Sequence, residues 1–270
     1  MKTLKLISFA FLLLLSGMLN AQTIKKMTVE DGGTGAFKAE IVSDAKLPAF
    51  TIYRPAKLPA TPLPVVLYGN GACMNSSVEA RYFLNELASH GYIIIAIGPY
   101  NEKDFIAHWT DVMKMMHPGT KQVILADGTE VKKLSEKEMQ EFFAKRSESE
   151  EDTPQPDRAP TYPGQLLEAL DWLTAQNADG QSEYYGHIDL SNVAVMGQSC
   201  GGAQALAVIH DPRISTGIIL NSGIGDMEMQ GATSRSLQNI RVPMLYVVGG
   251  DTDVATENAT KDFVAIKDVP

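Results

Sequence analysis

Cysteine is nearly missing from this 270-residue chain: Cys73 and Cys200 are the only two. Two are too few to scaffold a fold, so the core has to come from packing. Positive charge is short as well, with 23 Lys and Arg against 32 Asp and Glu and a formal net charge of −9. That balance lacks the basic footprint of a nucleic-acid binder and predicts an acidic soluble protein. No apolar run reaches the roughly 20 residues that a membrane span needs. No internal repeat is present, and the composition excludes collagen-like, coiled-coil and wholly disordered chains. What remains is ordinary globular material, 44% hydrophobic and 20% charged. About 250 such residues suit one large domain or two small ones, and α/β folds often use that length as one.

The first residues read as a targeting signal. Met1-Lys2-Thr3-Leu4-Lys5 is a short positive segment, and Leu6 to Leu19 is almost entirely apolar. Ala21 supplies a small residue before a cut, so residues 1–21 are expected to be a signal peptide and 22–270 the mature domain. The alternative, a membrane anchor, needs a longer run. Gln22, not Cys, follows the cut, which leaves no lipoprotein attachment point. A secreted or periplasmic protein is expected, in a compartment that permits a disulfide.

Strand-like and helix-like segments alternate from about residue 36. Ala36–Val42, Ala49–Tyr53, Pro64–Tyr68 and Tyr92–Ile97 predict strands, the last a continuous apolar run of the kind buried parallel strands show. A helix carrying Ala80, Phe83, Leu84 and Leu87, capped by Ser76 or Ser77 and ending at Gly91, is expected between the last two. Residues 101–162 break the pattern. They carry charge and proline, with a capping box at Ser135–Glu138 opening a charged helix, and read as an insertion: a lid, or an acidic decoration. Afterwards Leu166, Leu167, Leu170 and Leu173 share a helical face. Strands are expected at Val193–Met196, Ile218–Leu220 and Met244–Val248, and helices at Gly201–His210 and Glu257–Ile266. Repeated β-then-α units predict a mostly parallel sheet with helices on both faces.

The chemistry lies at Gly197-Gln198-Ser199-Cys200-Gly201. Gly-x-Ser-x-Gly alone is a weak motif. Here a strand precedes it and a helix follows, which is the context it needs. The serine sits on a tight turn, the glycines leave room for that turn, and the helix N-terminus favours developing negative charge. The plain alternative is a glycine-rich turn with a buried serine.

With these residues the chain resembles the α/β-hydrolases, closest to the dienelactone-hydrolase and cutinase-like polyester-hydrolase branches. Leu87-Ala88-Ser89-His90-Gly91-Tyr92, Gly197-Gln198-Ser199-Cys200-Gly201-Gly202 and Gly249-Gly250-Asp251-Thr252-Asp253 fall in the family's order. The resemblance covers about residues 36–100 and 162–268 and leaves out the insertion. Dienelactone hydrolases usually carry a cysteine nucleophile. Ser199 in that position implies a serine esterase.

The resemblance also implies the rest of the site. An oxyanion hole needs two converging backbone N–H groups. Cys200 supplies one, and the loop Tyr68–Cys73 the other, from Ala72 or its neighbours Gly71 and Cys73. If both groups converge on one oxygen, Cys73 and Cys200 lie close enough for a disulfide, with two free thiols as the alternative. The triad acid is Asp253, or else Asp251. The histidine should follow the acid. All five histidines (His90, His108, His117, His187 and His210) precede it. The chain is therefore expected to lack its last strand and helix beyond Pro270 together with the catalytic histidine, and the 270 residues alone to be nearly inactive. His108 and His117 read as surface or lid residues, and no spacing suggests a metal site.

The expected function is a secreted serine hydrolase cleaving a small-molecule or polymeric carboxylic ester through an acyl-enzyme, without cofactor or metal. A peptidase or amidase with the same triad remains open. So does a non-catalytic binding protein on the same fold.

Overall fold

The computed structural model describes residues 24–102, 122–124, 130–132, 161–250, 253–266 and 269. The expected signal peptide, most of the insertion with its helix from Ser135, His108, His117 and Asp251 lie outside the described residues.

An eight-stranded sheet organises the chain. In chain order its strands are β1 (Lys25–Met27), β2 (Ala39–Ser43), β3 (Phe50–Pro55), β4 (Leu63–Gly69), β5 (Ile93–Ile97), β8 (Ile188–Gln198), β9 (Thr216–Leu220) and β10 (Met244–Val247). In space they run β1-β2-β3-β5-β4-β8-β9-β10. The first four in this order pair antiparallel, and β5 through β10 pair parallel. Helix α1 (Arg81–Ser89) crosses from β4 to β5, α2 (Gly164–Ala178) leads towards β8, and α3 (Cys200–Val208) joins β8 to β9. The short α4 (Ser234–Leu237) precedes β10, and α5 (Thr256–Ala265) follows it.

Alternating side chains divide the core between the two faces of the sheet. Val65 and Leu67 of β4 join Ile93, Ile95, Val193 and Val195 under α2 and α3. Val66 and Tyr68 turn the other way, with Ile94, Ala96 and Met196, under Leu84 and Ala88 of α1. All five residues of β5 are buried, which explains why its sequence is an unbroken apolar run. On the antiparallel side, Glu40 and Arg54 sit opposite each other across β2 and β3. Arg54 is 1% exposed, and its guanidinium binds Glu40 at 2.9 Å and Glu183 at 2.7 Å. That pairing ties the loop before β8 to the far strands, and a buried cation needs such partners.

Two expectations need revision. Helix α1 begins after Ala80, without a side-chain cap, rather than at Ser76 or Ser77. Ser77 instead gives its carbonyl to the buried Tyr53 hydroxyl at 2.7 Å. Within the insertion, β6 (Gln122–Ile124) and β7 (Glu130–Lys132) form an antiparallel pair where no strand was expected.

Candidate active site

Strand β8 ends at Gln198 and helix α3 starts at Cys200, so one residue, Ser199, makes the whole turn. It does so at φ 50°, ψ −121°. For a residue with a Cβ this costs about 1–3 kcal/mol, and it persists only where the surroundings over-determine it. They do here. The Ser199 N–H donates to the Leu220 carbonyl at 3.0 Å, and its own carbonyl accepts from the Gly202 and Ala203 N–H groups and from the Ser222 hydroxyl at 2.6 Å. A Cβ on Gly201 would overlap the Gly69 carbonyl, and one on Gly197 the Gly201 carbonyl. Gly201 thus lets α3 press directly on the end of β4, and Gly197 lets it press on the end of β8. Ser199 itself is exposed at the N-terminus of α3, where the unpaired N–H groups and the helix dipole favour negative charge.

The loop after β4 reaches the same place. Gly71–Cys73 form one 3₁₀ turn in which Ala72 (φ 51°, ψ 20°) and Cys73 (φ 50°) are both left-handed. The Met74 N–H closes the turn on the Gly71 carbonyl at 3.0 Å. Asn70 braces it from beneath, donating to the Ile97 carbonyl at 2.6 Å and the Met74 carbonyl at 3.1 Å. Cys73 and Cys200 are joined as a disulfide, their Cα atoms 5.2 Å apart. The turn carrying Ala72 is thereby fixed to the first residue of α3, as the sequence led us to expect. Gln198 and Glu79 crowd Gly71 from the other side, and burial holds the Glu79 carboxyl above its ordinary range.

Asp253 follows β10. Its Oδ2 accepts from the Gly249 N–H at 2.9 Å and the Asn221 amide at 2.8 Å, and Oδ1 from the Ala255 N–H at 3.0 Å. These bonds, the Gly249 N–H foremost, hold the carboxyl below the usual aspartate range. The bond to Ala255 is also a helix-entry bond leading into α5.

Three histidines are described, and each belongs elsewhere. His187 precedes β8, its Nδ1 2.7 Å from the Pro59 carbonyl. Strand β8 bulges against β4, pairing Ile188 with Leu63 and Gly197 with Gly69, and its span still separates His187 from Ser199 by on the order of 25 Å. His90 caps α1 at the same lower end of the sheet, 3.0 Å from Glu86. His210 lies beyond the far end of α3, about 16 Å along its axis from Ser199.

Sequence reasoning overlooked four polar residues that hold these pieces. Asn221 and Ser222 come directly after β9, where loops at the carboxyl ends of parallel strands gather. One grips Asp253 and the other Ser199, and their position after an apolar strand was the available signal. The other two, Thr161 and Gln204, are buried and carried no such signal. Among the described residues no cluster of His, Cys, Asp and Glu could hold a metal ion, and no helix is long and apolar enough to cross a membrane.

Residues 147–265 match the family model described as PETase, PET hydrolase-like. That stretch contains the turn at Ser199, β9, β10 and the loop at Asp253. No curated protein matches the chain. The eight-stranded sheet, the strand-to-helix turn at Ser199 and this match agree: the chain has the α/β-hydrolase fold and is similar, over residues 147–265, to the PET hydrolase-like family.

Proposed function

We propose that the protein is an exported serine hydrolase of carboxylic esters. The observation that carries the reading is the covalent junction of two strained turns: Ser199 at its positive φ, and the Ala72–Cys73 turn bridged to Cys200. Strain held in place by its surroundings is a mark of functional sites. The family match points to esters as the bond cleaved.

In this reading the Ser199 hydroxyl attacks the acyl carbon and passes its proton to a general base. The carbonyl oxygen gains the electron pair, and the N–H groups of Cys200 and Ala72 stabilise it. Collapse expels the alcohol, which takes the proton from the base and leaves an acyl-serine. Water repeats the sequence and releases the acid. Asp253, kept ionised by three donors, orients a histidine and stabilises its charged form. That histidine is none of the three described. No step calls for a metal or a cofactor.

A fluorophosphonate probe tests the reading on protein expressed from its complete reading frame. Labelling at Ser199, lost in Ser199→Ala, supports a serine hydrolase. Absence of labelling in folded protein overturns it in favour of a binding protein on the same fold. Nitrophenyl acetate turnover by the 270 residues alone, compared with any longer frame, locates the base. Equal rates would place it among the residues outside the described ones.

A further inference from the structure

We infer that Gln204 and Thr161 form a buried hydrogen-bond relay that sets the Ala72–Cys73 turn, which makes them positioning residues for the reaction proposed above. The catalytic meaning of the relay rests on that reading. Its geometry does not.

Gln204 lies on α3, five positions after Ser199, with no exposed surface. Its Nε2 donates to the Thr161 hydroxyl at 3.0 Å. Thr161 is 5% exposed, and its hydroxyl donates to the Cys73 carbonyl at 2.9 Å. The direction matters. A threonine hydroxyl has one proton. Because its oxygen accepts from the amide of Gln204, that proton is left for Cys73.

The other end of the Gln204 amide agrees with that direction. Among the described residues its Oε1 is buried with no hydrogen-bond partner, and it lies 3.2 Å from where a Cβ on Gly69 would stand. A buried acceptor left unmet is destabilising. Turning the amide over would bring Oε1 to Thr161, whose proton would then satisfy it, and Cys73 would be released. The turned amide would also bury the Nε2 donors where Oε1 now lies, keeping one hydrogen bond of the two, so the better-bonded orientation is the one that aims the relay at the turn.

Cys73 is then held at both ends of its residue: the side chain by Cys200 and the carbonyl by Thr161. Two successive left-handed residues that are not glycine are each unfavourable and need restraint from their surroundings. The disulfide alone leaves the backbone free to rotate about the side-chain bonds. The carbonyl bond removes that freedom and fixes the direction of the neighbouring N–H groups, Ala72 among them.

The test uses Thr161→Val, Thr161→Ser and Gln204→Leu in protein from the complete reading frame, with two readings. Amide hydrogen exchange of the peptide spanning residues 71–74 should quicken about tenfold in Thr161→Val and Gln204→Leu, while peptides of β4 and β8 keep their protection. Thr161→Ser, which retains the hydroxyl, should match the parent. Fluorophosphonate inactivation should lose about tenfold in its maximal rate in the same two variants, with the concentration for half-maximal rate within about twofold. Exchange that is unchanged, that rises equally in β4 and β8, or that Thr161→Ser fails to restore overturns the relay. A parent protein that never labels at Ser199 overturns the hydrolase reading instead, and the exchange experiment still decides the relay.

Discussion

The turn at Ser199 is locked by contacts that leave no spare volume, whereas the loop at Asp253 is held by hydrogen bonds at an exposed rim. At the first, α3 touches β4 through Gly201 and β8 through Gly197, and a disulfide adds a covalent tie. At the second, alternate residues of β10 are exposed, and Val254 is 98% exposed. The Asp253 carboxylate depends on two backbone N–H groups and one asparagine. Both sit at the carboxyl end of the same sheet. The difference is a division of labour in which steric exclusion fixes the serine turn and hydrogen bonds fix the Asp253 carboxylate. Steric and covalent constraints fail with large losses of stability. Hydrogen bonds at a rim fail with small ones, and the loss shows mainly in the ionisation they maintain.

The sharpest way to break the comparison is Gly201→Ala. Alanine favours a helix, yet here its Cβ meets the Gly69 carbonyl, so the collision should win and destabilise the fold by about 3 kcal/mol or more. Urea unfolding measures it. A midpoint equal to the parent's would mean that α3 does not rest on β4 so closely.

Cys73→Ser combined with Cys200→Ser comes next. The bridge spans a sequence separation of 127, and its loss should cost about 2–4 kcal/mol, the usual range for a native disulfide. Intact mass with and without reductant establishes the bridge, and thermal unfolding of the double variant gives the cost.

Asp262→Asn probes the support of the exposed side. Its buried carboxylate accepts from the Ile224 and Gly225 N–H groups at 2.8 and 2.7 Å, and an amide cannot accept through both positions. A loss of about 1–2 kcal/mol is expected in urea, below that of Gly201→Ala.

The smallest effect on stability, and the most telling for ionisation, belongs to Asn221→Ala. The folded pKa of Asp253 lies below that of the unfolded chain. Its contribution is therefore fully present above the ordinary aspartate value of about 3.9 and is lost as pH falls through the lower folded value. Removing the Asn221 donor should raise the folded value and narrow that acid window, with a melting temperature near the parent's at pH 7. Carboxyl titration by NMR reads it directly, and an unmoved Asp253 would remove Asn221 from the support.

How much of this was legible depended on range along the chain. The strands were readable because their apolar runs are contiguous, as in Ile93–Ile97, and the turn at Ser199 because its glycines are its immediate neighbours. The Cys73–Cys200 bridge followed from placing two loops on one oxygen, although 127 positions part them. The hydrogen bonds of Thr161 to Cys73 and of Asn221 to Asp253 span 88 and 32 positions and involve residue types common in any loop. No local pattern marks such partners. The start of α1 was misplaced for a related reason: serine is a frequent cap, but Ser77 was committed to Tyr53, 24 positions earlier. The β6–β7 pair was overlooked because its two three-residue strands lie in a charged stretch where short apolar alternation is hard to see.

The Cys73–Cys200 bond also has a topological meaning. It closes the backbone between the two cysteines into a ring that contains α1, β5, the whole segment 103–160, α2 and β8. A single cut by a protease inside that segment opens the ring without dividing the molecule. The product would be a two-chain protein heavier by one water, with Ala72 on one chain and Ser199 on the other, which stay linked in denaturant until a reductant is added.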